Sequence, residues 1–430
     1  MSAEIPVPVA GSADRGSPPG ELIELAAARA LVLDHATALA AEDVALESAL
    51  GRILAAAVSS SESVPGFDNS ALDGFALRAG DTALAGALAP VLMRIVDESR
   101  AGHPARLAVG RGEAVAISTG AKLPEGADAV VGIEHARDLG EAIEVAAPLR
   151  RGESVRCVGE DVRAGEVVLP AGGAVGAFEL GVLASIGCAT VSCVARPRLR
   201  VLTTGDELLT VGEPPRPGAV RDANAYTVPA LARLAGGRVE AVGRVPDDDA
   251  ATRAAVAEAL ACDVAVICGG VSVGAHDHVR PALAAAGVQE RFWGVALRPG
   301  KPTWFGTIAD GAERRETLVF GLPGNPVSAV VTFLLLVRPA IRALCGADPH
   351  HDSLDAVFDE DYRKQPGRAH AVRCRLEVRD DGWHARSTGA QGSHVLSSML
   401  GAEGLAIVPA ASEGVAAGDR VAVELLPRAF

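Results

Sequence analysis

The sequence predicts a multidomain α/β plus β protein, on three observations. The chain has 430 residues, too many for one ordinary core, so two to four domains are expected. From Pro197 to about residue 345, strand-like apolar runs alternate with helix-like runs. That alternation is the pattern of an α/β/α domain with a mostly parallel sheet covered on both faces. On either side the pattern shortens to small strands with Gly and Pro turns. This places N-terminal helical/linker and β subdomains before the α/β domain and a small C-terminal β domain after it.

Residues 1–20 are rich in Pro, Gly and Ser and read as a flexible tail. They lack the basic start and apolar stretch of a secretory signal. In residues 21–58, Leu22, Leu25, Ala26, Ala30 and Leu33 recur at helical spacing, and two helices are expected between Glu21 and Leu54. Residues 59–154 form a β-rich domain, with alternating strands such as 113–118. Residues 155–195 return to the linker domain, with short strands and a small helix near 178–186. Within 196–345, strands are expected at 198–204, 239–245, 264–268 and 317–320. Helices are expected there at 224–235, 249–260, 278–286 and 326–344. The most apolar run, 327–337, is too short to span a bilayer. Residues 346–430 read as the C-terminal β domain.

Composition excludes several classes of function. Hydrophobic residues make up 49% of the chain, enough for a large core. Aromatics are only 3%, which argues against a base-stacking platform. Net charge is −14 with no Lys/Arg block, which argues against nucleic acid as a partner. Anion binding would need a local cluster of cations and backbone N–H groups. Seven cysteines without C-x-x-C spacing read as a reduced, cytoplasmic protein without a zinc site.

Five segments could carry chemistry. In 264–277 a strand runs into Gly269, Gly270, Ser272, Gly274 and Asp277 before a helix. Glycines allow close backbone approach, a helix N-terminus suits phosphate, and Asp277 could hold a metal beside it. The same residues also make a plain strand–turn–helix junction with Asp277 as cap. In Thr203-Thr-Gly-Asp-Glu207, adjacent carboxylates at a strand end suit magnesium, or merely favour a helix start. In Pro246-Asp-Asp-Asp249 most of the acidity is helix-capping chemistry, and Asp247 is nearest the strand end.

The fourth segment pairs Arg298-Pro-Gly-Lys301 with Gly321-Leu-Pro-Gly-Asn-Pro326. Two cations on a stiff loop suit an oxyanion, and Pro326 fits the first position of a helix. The fifth is Pro65-Gly-Phe-Asp-Asn-Ser-Ala-Leu-Asp-Gly-Phe75, a turn-rich stretch that resembles a site lip. The stretches around Thr119 and Asp161 are weaker cues of the same kind.

Together these segments closely resemble the MoeA molybdotransferases, which include the E domain of gephyrin. The matching stretches are 65–76, 117–131, 159–162, 203–208, 269–277, 299–302 and 321–333, in family order, and the similarity covers roughly residue 22 to the C-terminus. The resemblance implies a MogA-like molybdopterin-binding α/β domain and a homodimer whose active site is shared between subunits. It implies a magnesium-dependent transferase that inserts molybdenum from molybdate into adenylylated molybdopterin and releases AMP. Family positions important for activity match Asp73, Thr119, Asp161, Glu207, Asp247, Asp277, Lys301, Pro323 and Pro326. Arg298 replaces a common lysine, and Gly294 stands where many members have another. Leu72 and Phe75 replace the usual Met and Tyr. Arg373 and Ser393 match an Arg and a Ser assigned to molybdate.

The implied substrates are anionic and so are the site carboxylates. A magnesium ion held by some of Asp73, Glu207, Asp247 and Asp277 would offset that repulsion. The glycines 269–274, with Gly321, Gly324 and Asn325, would cradle the pterin phosphate. An adenylyltransferase and a molybdoenzyme or chaperone are the implied protein partners. Two other readings remain open from sequence: an adenylyltransferase acting one step earlier, and a non-catalytic scaffold.

Overall fold

The computed structural model describes residues 21–271, 278–309, 316–350 and 353–427. The expected tail at 1–20 lies outside the described residues, as do Ser272, Gly274 and Asp277. The chain forms two compact units: Asp43–Cys193, and the remainder on either side of it.

The unit Asp43–Cys193 is built on a six-stranded sheet. Its order is Ala129–Gly132, Gly74–Leu77, Glu113–Ile117, Val91–Ser99, Ala142–Val145, Ala136–Asp138. Phe75, Leu77, Met93, Val131 and Ile143 fill its core. Gly74 has no alternative residue, because a Cβ there would sit 1.9 Å from the Val131 carbonyl oxygen. A second core in this unit packs the helix Ala177–Ser185 through Leu183 against Leu54, Val175 and Val191.

The other unit holds the α/β region. Its sheet runs Arg238–Val245, Arg198–Thr204, Val264–Cys268, Glu316–Leu322, Trp304–Ala309, Gln289–Trp293. The first four strands are parallel, and Trp304–Ala309 runs antiparallel to both its neighbours, Glu316–Leu322 and Gln289–Trp293. Val264–Cys268 is buried along its whole length, as a central parallel strand must be. Its side chains sort by pleat: Val264, Val266 and Cys268 join one core, Ala265 and Ile267 the other. Both faces are therefore covered, the first in part by Pro326–Leu344 and the second in part by Asp249–Ala259 and Val279–Ala285.

C-terminal strands form a second sheet in the same unit, in which Ala369–Arg379 pairs with both Gly382–Ser387 and Gly404–Val408 and so closes a ring. The short strand Leu297–Arg298 adds to it beside Ala369 and His370. That pairing carries the Arg298–Lys301 loop to the C-terminal sheet.

Two features differ from the sequence expectation. Only one α-helix, Leu25–Asp34, lies in the first linker segment, with a single 3-10 turn at Leu46–Ser48. The second expected helix is replaced by the strand Ala41–Ala45, paired with Thr190–Val194. Here long-range pairing outweighs an Ala-rich local preference for helix. Strands Gln289–Trp293 and Trp304–Ala309 had no clear sequence signal and supply the antiparallel edge. The expected helix at 326–344 is present as a 19-residue helical stretch, Pro326–Leu344, with a π segment at Phe333–Val337. By length and mean hydropathy (1.8) it could cross a bilayer, but it is 89% buried inside the protein and serves as a core helix.

Candidate active site

Four parallel strands end on one edge of the α/β sheet, and each exit carries a sequence motif. Ligands in open α/β sheets bind at this carboxyl edge. Arg198–Thr204 exits into Gly205, Asp206 and Glu207, and Arg238–Val245 exits toward Asp247. Val264–Cys268 exits into Gly269 and Gly270, and Glu316–Leu322 into Pro323, Gly324, Asn325 and Pro326.

The glycines meet steric needs. Gly269 and Gly270 have φ of +94° and +62°. A Cβ on Gly269 would lie 2.8 Å from Thr204 Oγ1, and one on Gly270 2.6 Å from Val279 Cγ2. The Gly269 N–H donates to Leu322 O at 3.0 Å. A Cβ on Gly324 would lie 3.9 Å from Gly269 Cα, so the two glycine turns abut. Gly321 is a packing glycine instead: a Cβ there would meet Val271 at 2.4 Å.

The acids divide by role. Asp248 caps the helix Asp249–Ala259 by accepting from Ala251 N at 2.8 Å. Asp249 pairs with Arg253 at 2.8 Å. Asp247 is left for the site and is braced by Asp206. Its N–H donates to Asp206 Oδ1 at 3.2 Å, and the Asp206 N–H donates to Asp247 Oδ2 at 3.4 Å. Glu207 and Asp247 are both exposed.

A cavity of about 520 Å³ opens beside this edge, lined by Thr203, Glu207, Asp222, Asn224, Cys268 and Pro326 among others. Asp222 and Asn224 were not singled out from sequence. Their only signal is Asp-Ala-Asn before a helix, which reads as capping. Asp222 is buried, accepting from Thr203 Oγ1 at 2.6 Å and Ala225 N at 3.0 Å. Asn224 Nδ2 donates to Gly324 O at 2.9 Å and ties that helix to the Gly324 turn. Burial, then the Asp222 carboxylate, holds the Cys268 thiol far above its ordinary pKa, so it is no nucleophile.

Next to it lies a cavity of about 370 Å³ that shares Asn325 and His394 with the first. Arg298, Lys301, Pro323, Arg368 and Ser393 line it. A third, of about 330 Å³, shares Arg298 and adds Tyr362, Lys364, His370 and Arg373. No Asp or Glu is among the described residues lining the second or third cavity. His370 is pushed down to about 4, first by burial and then by Arg298, Lys364 and Arg368. The neutral ring pairs with Tyr362 Oη at 3.0 Å.

Arg373 is fully buried. Its Nε donates to Ser398 Oγ, and its Nη2 to Ala390 O and Gly392 O at 3.1 and 3.3 Å. It therefore fastens the loop that carries Ser393, while Nη1 has no partner among the described residues. Arg368, missed from sequence, lines the cavity with Lys301 instead.

In the other unit Asp73 and Thr119 come together. Asp73 accepts from Thr119 N at 2.7 Å and Thr119 Oγ1 at 3.0 Å, bonds that hold its pKa below the ordinary value. Asp161 is exposed, with its N–H donating to Val64 O at 3.0 Å. Among the described residues no three His, Cys, Asp or Glu side chains converge as a metal site. Gly294 has φ +86°, and a Cβ there would meet Leu22 at 2.7 Å. Its carbonyl accepts from Ile23 N at 3.0 Å, so the glycine serves a turn that seats the segment just before the helix Leu25–Asp34.

A glycine-turned parallel edge beside cationic cavities is an α/β arrangement whose chemistry suits a phosphorylated, anionic ligand. Three family profiles match the chain. "MoeA N-terminal region (domain I and II)" matches residues 23–187. "Probable molybdopterin binding domain" matches 200–343, and "MoeA C-terminal region (domain IV)" matches 355–426. The molybdopterin molybdenumtransferase of Haemophilus influenzae is 35% identical over 88% of this chain and 92% of its own. That of Bacillus subtilis is 36% identical over 90% of each. A solved molybdopterin biosynthesis MoeA protein from Pyrococcus horikosii superposes with a TM-score of 0.79 at 30% identity. It covers 94% of this chain and 99% of its own. The chain belongs to the MoeA family.

Proposed function

We propose that this chain is a molybdopterin molybdenumtransferase, joining molybdenum from molybdate to the dithiolene of adenylylated molybdopterin and releasing AMP. One observation carries the reading: the glycine-turned strand edge and the cationic cavities are contiguous, sharing Asn325, His394 and Arg298. A substrate phosphate would sit by Gly324, which lines the first cavity, with the packed Gly269–Gly270 turn abutting it. The oxyanion would sit by Arg298, Lys301 and Ser393, with Arg373 fastening the loop beneath. The anionic product chemistry is then held in one place by groups that need no reorganisation.

Glu207 and Asp247 offer hard oxygen donors suited to magnesium, but the described acids do not enclose an ion. A magnesium ion would take most of its shell from phosphate and water, and would supply charge neutralisation. Asp73, Thr119 and Asp161 belong to this proposal as residues of the N-terminal unit acting on the same substrates, with Asp277, Ser272 and Gly274 in the glycine run. A homodimer is part of it too. Phe178 and Val182, one turn apart on Ala177–Ser185, are 88% and 36% exposed, which suits a buried interface. The seven free cysteines suit a reducing, cytoplasmic compartment.

The test is transfer from purified adenylylated molybdopterin at low molybdate, with and without magnesium and with tungstate as competitor. Magnesium-dependent AMP release with molybdenum loading supports the proposal. Tight pterin binding without AMP release would replace it with a carrier or scaffold.

A further inference from the structure

Trp293 lines none of the three cavities, yet it is bonded to the glycine turn. Its indole Nε1–H donates to the Val271 carbonyl at 2.9 Å. Val271 follows Gly269 and Gly270 directly. The helix Val279–Ala285 is held from the same strand: Arg280 stacks over the Trp293 ring at 5.8 Å and pairs with Glu290 at 2.9 Å. Glu290 also accepts from Trp304 Nε1 at 2.6 Å, and Trp304 is the register partner of Trp293. The antiparallel edge thus holds the chain at two points that follow the Gly269–Gly270 turn, Val271 and Arg280.

Two successive glycines have the widest conformational choice of any residue pair, and both sit here at positive φ. Untethered, they would divide among conformers, and apparent ligand affinity falls by the fraction that is competent. The indole bond removes that freedom from the carbonyl end. We propose that Trp293 is a positioning residue, fixing the direction in which the Gly270 amide faces a substrate phosphate, while the Gly269 N–H is held by Leu322 O. This rests on the functional reading above and deepens it.

The test is Trp293→Phe, which keeps an aromatic ring under Arg280 and removes the indole N–H together with the second ring; Trp304→Phe controls for that lost volume. Binding of 6-hydroxymethylpterin phosphate and the KM for adenylylated molybdopterin should both weaken about five- to tenfold, the worth of one hydrogen bond. The kcat should stay within about twofold, because the bound geometry is unchanged. Trp304→Phe deletes the neighbouring indole bond and should leave both constants nearly unmoved. Equal losses in the two variants would mean general packing and overturn the proposal, as would unchanged binding in Trp293→Phe. Should that variant not fold, the wild-type indole N–H signal of Trp293 must shift when the pterin phosphate is added; an unmoved signal overturns it. A wild type that neither binds the probe nor turns over would sink the functional reading instead.

Discussion

At the residue scale, the site works by placing ordinary groups so that each has one job. Asp73 is an ionised acceptor because Thr119 donates to it twice, backbone first. Thr119→Val removes the hydroxyl and keeps the backbone donor, so the Asp73 pKa should rise part of the way to its ordinary value. A carboxyl-carbon NMR titration would measure it, and an unmoved midpoint would mean the hydroxyl bond is absent in solution. Gly74 is fixed by sterics alone. Gly74→Ala drives a methyl into the Val131 carbonyl and should cost about 2–4 kcal/mol in urea unfolding. In Arg298→Ala, a charge-assisted bond to an oxyanion is lost, and molybdate affinity should fall about tenfold by calorimetry.

At the element scale, legibility followed the strength of local pattern. Val264–Cys268 was legible because a fully buried strand is apolar at every position. The strands Gln289–Trp293 and Trp304–Ala309 were not, since Gln289, Glu290 and Arg291 look like surface residues and Pro299, Gly300 and Pro302 break the pattern between the two paired strands. Asp247 could be separated from Asp248 by its position, whereas Asp222 was hidden because capping and site acids share one signature. Arg373 entered only through the family resemblance, and no local pattern foretold its full burial or its bonds to Ala390 and Gly392.

The hairpin of Ala369–Arg379 and Gly382–Ser387 gives a pH test. His384 lies between Asp359 at 2.7 Å and Asp381 at 2.9 Å. These bonds raise the imidazole pKa and lower both carboxylates. The raised group stabilises fully below its ordinary 6.5 and loses that contribution as pH rises through the folded value. The lowered acids stabilise above their ordinary 3.8 and lose it as pH falls through theirs. Wild-type Tm should therefore drop relative to His384→Gln as pH is taken from about 6 to 8. Parallel curves would mean the ring stays neutral.

At the whole-molecule scale, an acidic protein must draw in anions. Net charge is −14, while Arg298, Lys301, Lys364 and Arg368 surround cavities whose described lining has no acid. The two fields have different ranges. The overall repulsion acts across the molecule and is screened once the Debye length falls to about 10 Å, near 0.1 M salt. Contact with the cavity cations acts over a few ångströms and persists until the Debye length approaches about 3 Å, near 1 M. Molybdate affinity should therefore hold nearly level as sodium chloride rises to about 0.1 M, then fall toward 1 M. Arg298→Ala should flatten the second limb, since fewer local charges remain to be screened. Calorimetric titration of molybdate at matched pH measures both curves. An equally steep fall in wild type and variant would place the oxyanion away from Arg298 and leave the cationic cavity without its proposed occupant.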